Sequence, residues 1–466
     1  MRKVEFKMQK KSLITLFVAT VLIVMNYIPV LAASNVNMAG VDNGMLNSGY
    51  WLKEWERNTL LMDANQIAAL NQKNYAFAPT HLTELFFEPD VFDGDLLKSS
   101  LSGFNNPKNL YLNGQPVTDS YYENIRKNIL GAKTASVMQA QYGIIVNRTV
   151  MKDLPYGEML SDDPTDLEWD NLASSAVFIN DPVLCYFTTA DGQFTYIKSE
   201  LCSGWIPTAD VAICADKNSW YMNTHPAVFL VVTGDQITTE TSTANASHSQ
   251  VSLSMGTKLE LLNTPGMVDG RLSFYNYVVA LPERDPNGNY VKSEALIPVS
   301  RDVNVGYLPL TSQNLLNQAF KSLGNRYGWG GSLDSQDCSS YVREVYSCFG
   351  LSLPRNTTWQ AVMRCRIIDV SAMTAAEKEE FFRFNCPAGA IVQFPGHEMM
   401  YLGESNGDFY TINDVSSIAA DLGNPSLSVV KARSVVVNGM KSTLRKNGSS
   451  WYDNVNKVII PWVEPW

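Results

Sequence analysis

Basic residues are scarce in this 466-residue chain, and their scarcity excludes one large class of function. Lys and Arg number 36 against 46 Asp and Glu, which gives a formal net charge of −10. No Lys/Arg-rich run follows the first eleven residues. Nucleic-acid affinity depends on clustered cations that release counterions from phosphates. We therefore do not expect a DNA- or RNA-binding protein.

Cysteine and histidine are too few and too widely spaced for a metal site or a disulfide scaffold. No CxxC or HExxH motif occurs, so neither a structural nor a catalytic zinc site is expected. The sequence implies no metal and no organic cofactor. The odd number of cysteines leaves at least one free thiol unless two chains pair. The seven cysteines are Cys185, Cys202, Cys214, Cys338, Cys348, Cys365 and Cys386.

The N-terminus is basic and then apolar. Lys and Arg cluster within residues 1–11, an uncharged stretch follows at 12–31, and Ala32-Ala33-Ser34 comes next. This order is typical of a secretory signal peptide at residues 1–33, cleaved near Ala32 or Ala33. An uncleaved anchor is the alternative, because the apolar run approaches the roughly 20 residues that span a bilayer. The residue directly after Ala33 is Ser34 and not a cysteine, so a lipid-modified N-terminus is not expected. We expect a secreted or periplasmic protein of the cell envelope.

The chain after the leader divides into four stretches, in keeping with the three or four domains expected of its length. Residues 34–140 mix helical patches with Asn/Gly/Pro-rich loops and predict a packing segment. Residues 141–233 and 234–310 carry short β-branched and aromatic runs separated by turns such as Asp191-Gly192, which predict two small β-barrels in tandem. Residues 311–466 begin with a helical pattern and continue in α-then-β order.

Cys338 is the candidate nucleophile. It ends a loop that begins with the glycine-rich stretch 327–331, and it stands at the start of a predicted helix that Gly350 terminates. A helix N-terminus favours the thiolate, and glycines let a substrate backbone approach closely. A lone cysteine is more often an ordinary buried residue, so the assignment depends on its partners.

His397 is the candidate general base, since no other histidine follows Cys338. It lies after the apolar run 390–394 and a Pro-Gly turn. This run, the run that His397 opens and the run that begins at Phe409 predict three antiparallel strands. On the third of these strands, Asn413 shares a face with Phe409 and Thr411 by period-two alternation. Asn413 could accept a hydrogen bond from the imidazole, the orienting role in a Cys-His-polar triad.

Residues 311–466 resemble the NlpC-type cell-wall cysteine peptidases, a papain-like family. The layout upstream resembles the subgroup that carries an N-terminal stabilising segment and two bacterial SH3-like domains. The expected fold class is therefore α+β, a papain-like peptidase domain preceded by two small SH3-like β-barrels. The motifs that carry the resemblance are Tyr-Gly-Trp-Gly-Gly at 327–331, Asp337-Cys338-Ser339-Ser340, Leu353-Pro354-Arg355-Asn356 and Gly396-His397-Glu-Met-Met-Tyr-Leu-Gly at 396–403.

The resemblance implies hydrolysis of peptidoglycan stem peptides. The multidomain subgroup is similar to γ-D-glutamyl-L-diamino acid endopeptidases acting on peptides with a free N-terminal L-Ala. By this resemblance Cys338 attacks the carbonyl of the γ-D-Glu bond, His397 acts as base and then acid, and Asn413 orients the imidazole. The family often has His at the third position, so Asn413 departs from the commoner pattern. A neutral amide supports the tautomer of an imidazole but not the charge of an imidazolium.

Three more residues take roles from the same resemblance. Tyr327 matches the family tyrosine whose hydroxyl faces the oxyanion. Asp337 and Ser339 flank the nucleophile and are implied to bind the α-amine of L-Ala. An N-acylated peptide would leave Asp337 unpaired, which predicts selectivity for trimmed stem peptides. Asp337 could equally serve as a helix N-cap.

The expected partners are stem peptides or murein fragments, with no nucleic acid and no membrane insertion after signal cleavage, and the expected state is a monomer. One alternative is another activity on the same Cys-His scaffold, such as an N-acetylmuramoyl-L-alanine amidase or an acyltransferase. A second is a weakly active cell-wall-binding protein whose SH3-like domains serve adhesion. The sequence does not choose between diaminopimelate and Lys in the substrate.

Overall fold

The computed structural model describes residues 37–262, 266–420 and 428–465. The predicted signal peptide, residues 1–33, lies outside them. Within the described part of the chain, every helix is too short or too polar to cross a membrane. The described residues from 39 onward form one compact unit.

The N-terminal region, which we predicted to be a packing segment, alternates short helices and short strands. Its helices are α1 (Glu54–Arg57), α2 (Ala64–Tyr75), α3 (Gly94–Ser102) and α4 (Asp119–Leu130). Its strands are β1 (Leu60–Met62), β2 (Val91–Phe92), β3 (Tyr111–Leu112), β4 (Gln115–Pro116) and β5 (Met138–Gln139). Strand β2 pairs with β5, and β3 pairs with β4.

Side chains of this region contact two later parts of the chain. Tyr122 and Ile129 of α4 share a buried apolar cluster with Trp205 of the following region. Asn71 of α2 donates from Nδ2 to Gly350 O over 2.8 Å in the C-terminal region. Helices this short are marginal by themselves in water, so these contacts with later parts of the chain help to stabilise them.

The elements of the first SH3-like region are β6 (Gln141–Ile145), β7 (Thr149–Lys152), β8 (Ala173–Val177), β9 (Pro182–Thr188), β10 (Phe194–Lys198), β11 (Ser203–Pro207), β12 (Val211–Ile213) and helix α5 (Lys217–Thr224). The strands form one antiparallel sheet in the order β12-β6-β9-β10-β11-β7-β8. The hairpin predicted at Asp191-Gly192 is confirmed, since this turn joins β9 to β10. Gly192 has a φ of 76°, a conformation that favours glycine.

The region that follows, where the sequence predicts the second SH3-like barrel, has nine strands in its described residues: β13 (Phe229–Val232), β14 (Gln236–Thr238), β15 (Ser252–Ser254), β16 (Lys258–Glu260), β17 (Met267–Val268), β18 (Arg271–Leu272), β19 (Asn276–Arg284), β20 (Tyr290–Pro298) and β21 (Val303–Val305). They form a sheet in the order β16-β13-β21 and three hairpins, β14-β15, β17-β18 and β19-β20. Strand β13, which we had placed in the first barrel, pairs with β16 and β21 of the second. An apolar run of four residues carries no signal for which sheet it joins.

The C-terminal region begins with helices and continues with most of its sheet, as its sequence predicted. Its helices are α6 (Ser312–Lys321), α7 (Cys338–Ser347), α8 (Thr357–Gln360), α9 (Ala375–Phe384) and α10 (Trp451–Asn454). Its strands are β22 (Leu310–Thr311), β23 (Arg366–Asp369), β24 (Ile391–Phe394), β25 (His397–Ser405), β26 (Asp408–Ala420), β27 (Ser428–Gly439) and β28 (Lys457–Ile460). The main sheet has the antiparallel order β23-β28-β24-β25-β26-β27, and α7 packs on β25 and β26.

The α+β class is confirmed. In the C-terminal region three helices, α6 to α8, precede an antiparallel sheet, and the two regions upstream of it are built mostly of strands. One face of the main sheet is closed by α7, whose residues Tyr341, Val342 and Val345 are fully buried. The opposite face packs on an apolar cluster that includes Phe382 and Trp451. The first turn of α7 therefore lies at the edge of a rigid core.

Candidate active site

Cys338 is the first residue of α7, as the sequence predicted, and 7% of it is exposed. Asp337 precedes it as N-cap and accepts from the backbone N–H of Ser340, while the Ser340 hydroxyl accepts from the N–H of Asp337. This reciprocal capping box starts the helix at a defined residue. The thiol is therefore held at a helix N-terminus on a fixed backbone.

Opposing influences act on this thiol. Burial, and then the charges of Asp337, Glu398 and Asp414, hold the pKa of Cys338 well above its usual value. The backbone N–H of Glu398, which is hydrogen-bonded to the sulfur, and the helix N-terminus favour the thiolate. The thiol is consequently protonated in the free protein, and a base must take its proton when the sulfur attacks.

His397 is the first residue of β25 and directly precedes Glu398, whose N–H contacts the sulfur of Cys338. Its Nε2 lies 2.9 Å from Oδ1 of Asn413, which is fully buried on β26. The Asn413 amide is oriented by Asn438, since Nδ2 of Asn413 donates to Asn438 Oδ1 over 2.7 Å. The ring therefore carries its proton on Nε2 and its lone pair on Nδ1.

The imidazole is neutral and enclosed by aromatic rings. Burial lowers the pKa of His397 to about 4, the hydrogen bond with Asn413 raises it in part, and Arg445 lowers it further. The ring centroid lies 5.3 Å from that of Phe394 and 5.1 Å from that of Trp451. A neutral ring in a fixed tautomer can accept the thiol proton at neutral pH.

Tyr327 begins the segment that we call the glycine loop, residues 327–336, which leads into Cys338. Its side chain is buried, and burial followed by the charges of Cys338 and Asp337 raises the pKa of its hydroxyl. The hydroxyl thus stays protonated and is close enough to the nucleophile to be influenced by its charge. It can act as a hydrogen-bond donor to an oxyanion formed there.

Asp337 and Ser339, predicted to bind a substrate amine, are engaged with Arg355. Nη2 of Arg355 lies 2.6 Å from Oδ2 of Asp337, and Nη1 donates to Oδ1 over 3.2 Å. The Ser339 hydroxyl donates to Asp337 and accepts from Arg355. Burial raises the pKa of Asp337, but Arg355 outweighs it and the result is a value of about 2. The carboxylate is charged and already paired with a cation of the protein.

Sequence reasoning missed Arg355 as this partner. Its motif, Leu353-Pro354-Arg355-Asn356, was visible, but nothing in one sequence indicates which carboxylate a distant arginine meets. The neighbouring Asn356 caps α8 by accepting from the N–H of Trp359 over 3.0 Å. This cap holds the backbone next to Arg355, and the Arg355–Asp337 pair is almost fully buried.

A second missed residue is Trp169, from the loop between β7 and β8 of the first SH3-like region. Its ring stacks on Tyr327 at a centroid distance of 6.0 Å and on Trp329 at 5.1 Å. The guanidinium of Arg433, on β27, lies 5.4 Å from the Trp169 ring centroid. Trp169 thus forms one wall beside the glycine loop. The available signal was an isolated tryptophan in the acidic stretch 162–170.

A cavity of about 240 Å³ opens beside His397. Val415 and Leu444 bound its apolar side, and Arg445 and Lys446 contribute positive charge. The Arg445 guanidinium lies 5.0 Å from the ring centroid of Phe394. The positive charge of this cavity suits an anionic group. In the described residues, no three His, Cys, Asp or Glu side chains are grouped to hold a metal ion.

Two family models match the chain. The SH3 domain of the SH3b1 type matches residues 160–207, inside the first SH3-like region. The NlpC/P60 family matches residues 324–417, which include Tyr327, Cys338, His397 and Asn413. The resemblance found in the motifs is confirmed by these two matches. No curated protein matches the chain.

Solved structures extend the likeness to nearly the whole chain. An NlpC/P60 endopeptidase from Photobacterium damselae subsp. piscicida is similar with a TM-score of 0.70 at 15% identity, over 90% of this chain and 98% of that one. An NlpC/P60 family protein from Bacillus cereus shares 16% identity over 69% of this chain and 99% of that one, with a TM-score of 0.45. At such low identity the first structure shows only that the fold is shared, and the second is too dissimilar in structure to show even that.

Proposed function

We propose that the chain is a multidomain NlpC-type cysteine peptidase that cleaves the γ-D-Glu–L-diamino acid bond of peptidoglycan stem peptides. The matches to the NlpC/P60 family and to the SH3 domain of the SH3b1 type support this proposal. The observation that carries the proposal is the hydrogen-bonded pair of His397 and Asn413 beside a cysteine at a helix N-terminus. The diamino acid is diaminopimelate or Lys.

The residues supply the steps of an acyl transfer. His397 takes the thiol proton on Nδ1 while the sulfur of Cys338 attacks the γ-carbonyl of D-Glu. The oxyanion forms at the N-terminus of α7, where Tyr327 can donate to it. The protonated His397 then gives its proton to the leaving amine of the diamino acid. Water, deprotonated by His397, hydrolyses the thioester and restores the thiol.

Charge near the catalytic residues supports a stem-peptide substrate. The D-Glu residue of a γ-linked peptide keeps a free α-carboxylate next to the scissile bond. Arg445 and Lys446 border the cavity beside His397 and supply the opposite charge at this position. A peptide with ordinary α-linkages would not present a carboxylate there.

The preference for a free N-terminal L-Ala is part of the same proposal and rests on the resemblance. Asp337, the residue implied to bind the amine, already pairs with Arg355. A substrate ammonium at this position would share the carboxylate with a guanidinium. The amine preference therefore needs its own test, separate from the test of the bond cleaved.

We also propose that the protein acts outside the cytoplasm, because the basic and apolar N-terminus resembles a signal peptide. Peptidoglycan fragments are present in that compartment. N-terminal sequencing of protein recovered from the periplasm or the medium tests this, with cleavage expected near Ala32 or Ala33.

The test of the activity is mass spectrometry of products from L-Ala-γ-D-Glu-L-Lys and its diaminopimelate counterpart, each with a free and with an acetylated N-terminus. We expect the purified protein to release L-Ala-D-Glu, and the Cys338→Ala variant to release none. Cleavage of acetylated and free peptides at equal rates would retain the peptidase and remove the amine preference. Release of the stem peptide from intact muropeptides, without cleavage after D-Glu, would instead favour an amidase.

A further inference from the structure

The glycine loop adopts a backbone that its own sequence does not favour. Gly330 and Gly331 have φ values of 64° and 88°, and the non-glycine residues Leu333 and Asp334 have values of 59° and 51°. Left-handed conformations at non-glycine residues are strained and persist only where surrounding structure enforces them. The contacts that enforce this loop come from the first SH3-like region.

Arg148 makes the polar part of these contacts. It lies in the turn between β6 and β7, and its side chain is 10% exposed. Nη2 donates to Gly331 O over 2.9 Å and to Ser335 O over 2.7 Å, and Nη1 donates to Oδ1 of Asp334 over 3.2 Å. One planar guanidinium thereby joins two carbonyls that are four residues apart, which a flexible ammonium would do less well.

Strand β8 makes the apolar part. A Cβ placed on Gly330 would lie 2.7 Å from Cβ of Ala173, and one placed on Gly331 would lie 2.6 Å from Cβ of Ala176. Such distances leave no room for a side chain, so the backbone of the loop rests directly on the strand. The two glycines and the two alanines are needed together.

The charges that face Arg148 come from the peptidase side. Burial lowers the pKa of Arg148, while Glu344 and Asp334 raise it and Arg343 lowers it. Glu344 lies on α7, the helix of the nucleophile, and accepts a hydrogen bond from Gln336 at the end of the loop. The guanidinium therefore contacts the loop directly and is also influenced by the charge of the nucleophile helix.

We propose that Arg148 of the first SH3-like region is a positioning residue of the peptidase, which fixes the glycine loop and through it Tyr327 relative to Cys338. The loop also bonds to the N-cap, since the N–H of Gly330 lies 3.2 Å from Oδ2 of Asp337. Catalysis then requires the SH3-like region as part of the active enzyme and not only as a wall of the cleft. This inference rests on the proposed function for its kinetic test.

The kinetic test compares Arg148→Ala and Arg148→Lys with the unmodified full chain on the peptide that it cleaves. A donor misplaced by about 1 Å costs on the order of 10²-fold, so we expect kcat of Arg148→Ala to fall about 100-fold with KM changed by less than about threefold. Guanidinium ions in the assay should restore part of the kcat of Arg148→Ala. Arg148→Lys should lie between the two.

Arg126→Ala is the matched control. Arg126 also donates to two backbone carbonyls, Ser102 O over 3.1 Å and Phe104 O over 3.0 Å, but within the N-terminal region. Its loss should leave kcat unchanged. Ala176→Leu is an independent variant that displaces the loop from β8 without changing Arg148, and its kcat should fall in the same way.

Alkylation of Cys338 by iodoacetamide tests the inference without any substrate. A loosened loop exposes the thiol, so Arg148→Ala and Ala176→Leu should be alkylated faster at Cys338 than the unmodified protein, as read from the mass of its tryptic peptide. A folded Arg148→Ala variant with unchanged kcat, or with an unchanged alkylation rate of Cys338, would overturn the proposal. If no protein cleaves the peptides but the alkylation rates differ as expected, the proposed function fails and the positioning role stands.

Discussion

Replacing Asn413 with Ala is the most direct test of how the imidazole is oriented. The change removes Oδ1 of Asn413, which accepts from the Nε2–H of His397 over 2.9 Å. It also removes Nδ2, which donates to Asn438 Oδ1 over 2.7 Å. Both groups lie where water does not reach, because Asn413 is fully buried. The Nε2–H of His397 is left without a partner, whereas Asn438 Oδ1 still accepts from the Thr411 hydroxyl over 3.1 Å. A cavity replaces the amide.

The magnitudes follow from these contacts. An unsatisfied buried polar group costs about 1–3 kcal/mol, so the orphaned N–H of His397 should lower the free energy of unfolding by about 1–3 kcal/mol. A ring without its acceptor samples the wrong tautomer, and losing one hydrogen bond of about 1.5–3 kcal/mol corresponds to a roughly 10- to 100-fold fall in kcat. The hydrogen bond with Asn413 raises the pKa of His397, so its loss should move the acid limb of the kcat/KM profile to lower pH.

The assay is the pH profile of kcat/KM on the cleaved peptide, together with urea unfolding. Asn74→Ala is the matched control. Asn74 is also fully buried, and its Oδ1 accepts from the N–H of Arg364 over 2.8 Å. It belongs to the N-terminal region and has no hydrogen bond with His397 or Asn413. This variant should lower stability without moving kcat or the acid limb. An Asn413→Ala enzyme with full kcat, or with an acid limb shifted upward, would refute the reasoning.

Four further changes have defined outcomes. Arg355→Met leaves the carboxylate of Asp337 buried without its cation, so urea unfolding should show a loss of about 3–5 kcal/mol; a loss under about 1 kcal/mol would contradict the buried pair. Trp169→Ala removes two ring contacts with the glycine loop worth about 0.5–1.5 kcal/mol each, so urea unfolding should show a loss of about 1–3 kcal/mol. Unchanged stability would show that the stacked rings do not hold the loop. Arg445→Ala should raise KM about tenfold for the free α-carboxylate but not for its amide. Equal effects on both peptides would remove the carboxylate contact. Burial raises the pKa of Glu398 from 4.5 to about 8. The folded state thus holds a proton that the unfolded chain releases, and this contribution to stability is lost as pH rises from 4.5 to 8. Glu398→Gln removes the dependence, so its stability relative to the unmodified protein should increase by about 4 kcal/mol over that interval in urea titrations; parallel pH curves would show that Glu398 does not titrate there.

The α+β class and the order of helices and strands were accessible from the sequence because they depend on local patterns. The capping residues of α7, the turn at Asp191-Gly192 and the alternation in β26 are each encoded within a few neighbouring positions. The place of β13 was not accessible. Its four apolar residues fit either sheet, and the partner that stabilises them lies in later strands.

For the candidate site, the sequence by itself determined the chemistry that is available: a thiol at a helix start, a histidine opening a strand, and an amide on the next strand of the sheet. These residues stand in motifs whose spacing along the chain sets their geometry. The tertiary structure alone decided what surrounds them. Arg355 pairs with Asp337 across 18 residues, while Trp169 and Arg148 reach the glycine loop from a different region of the chain. Such contacts depend on how separately folded surfaces meet, and the protonation states of buried groups depend on that enclosure, which no local pattern in the sequence encodes.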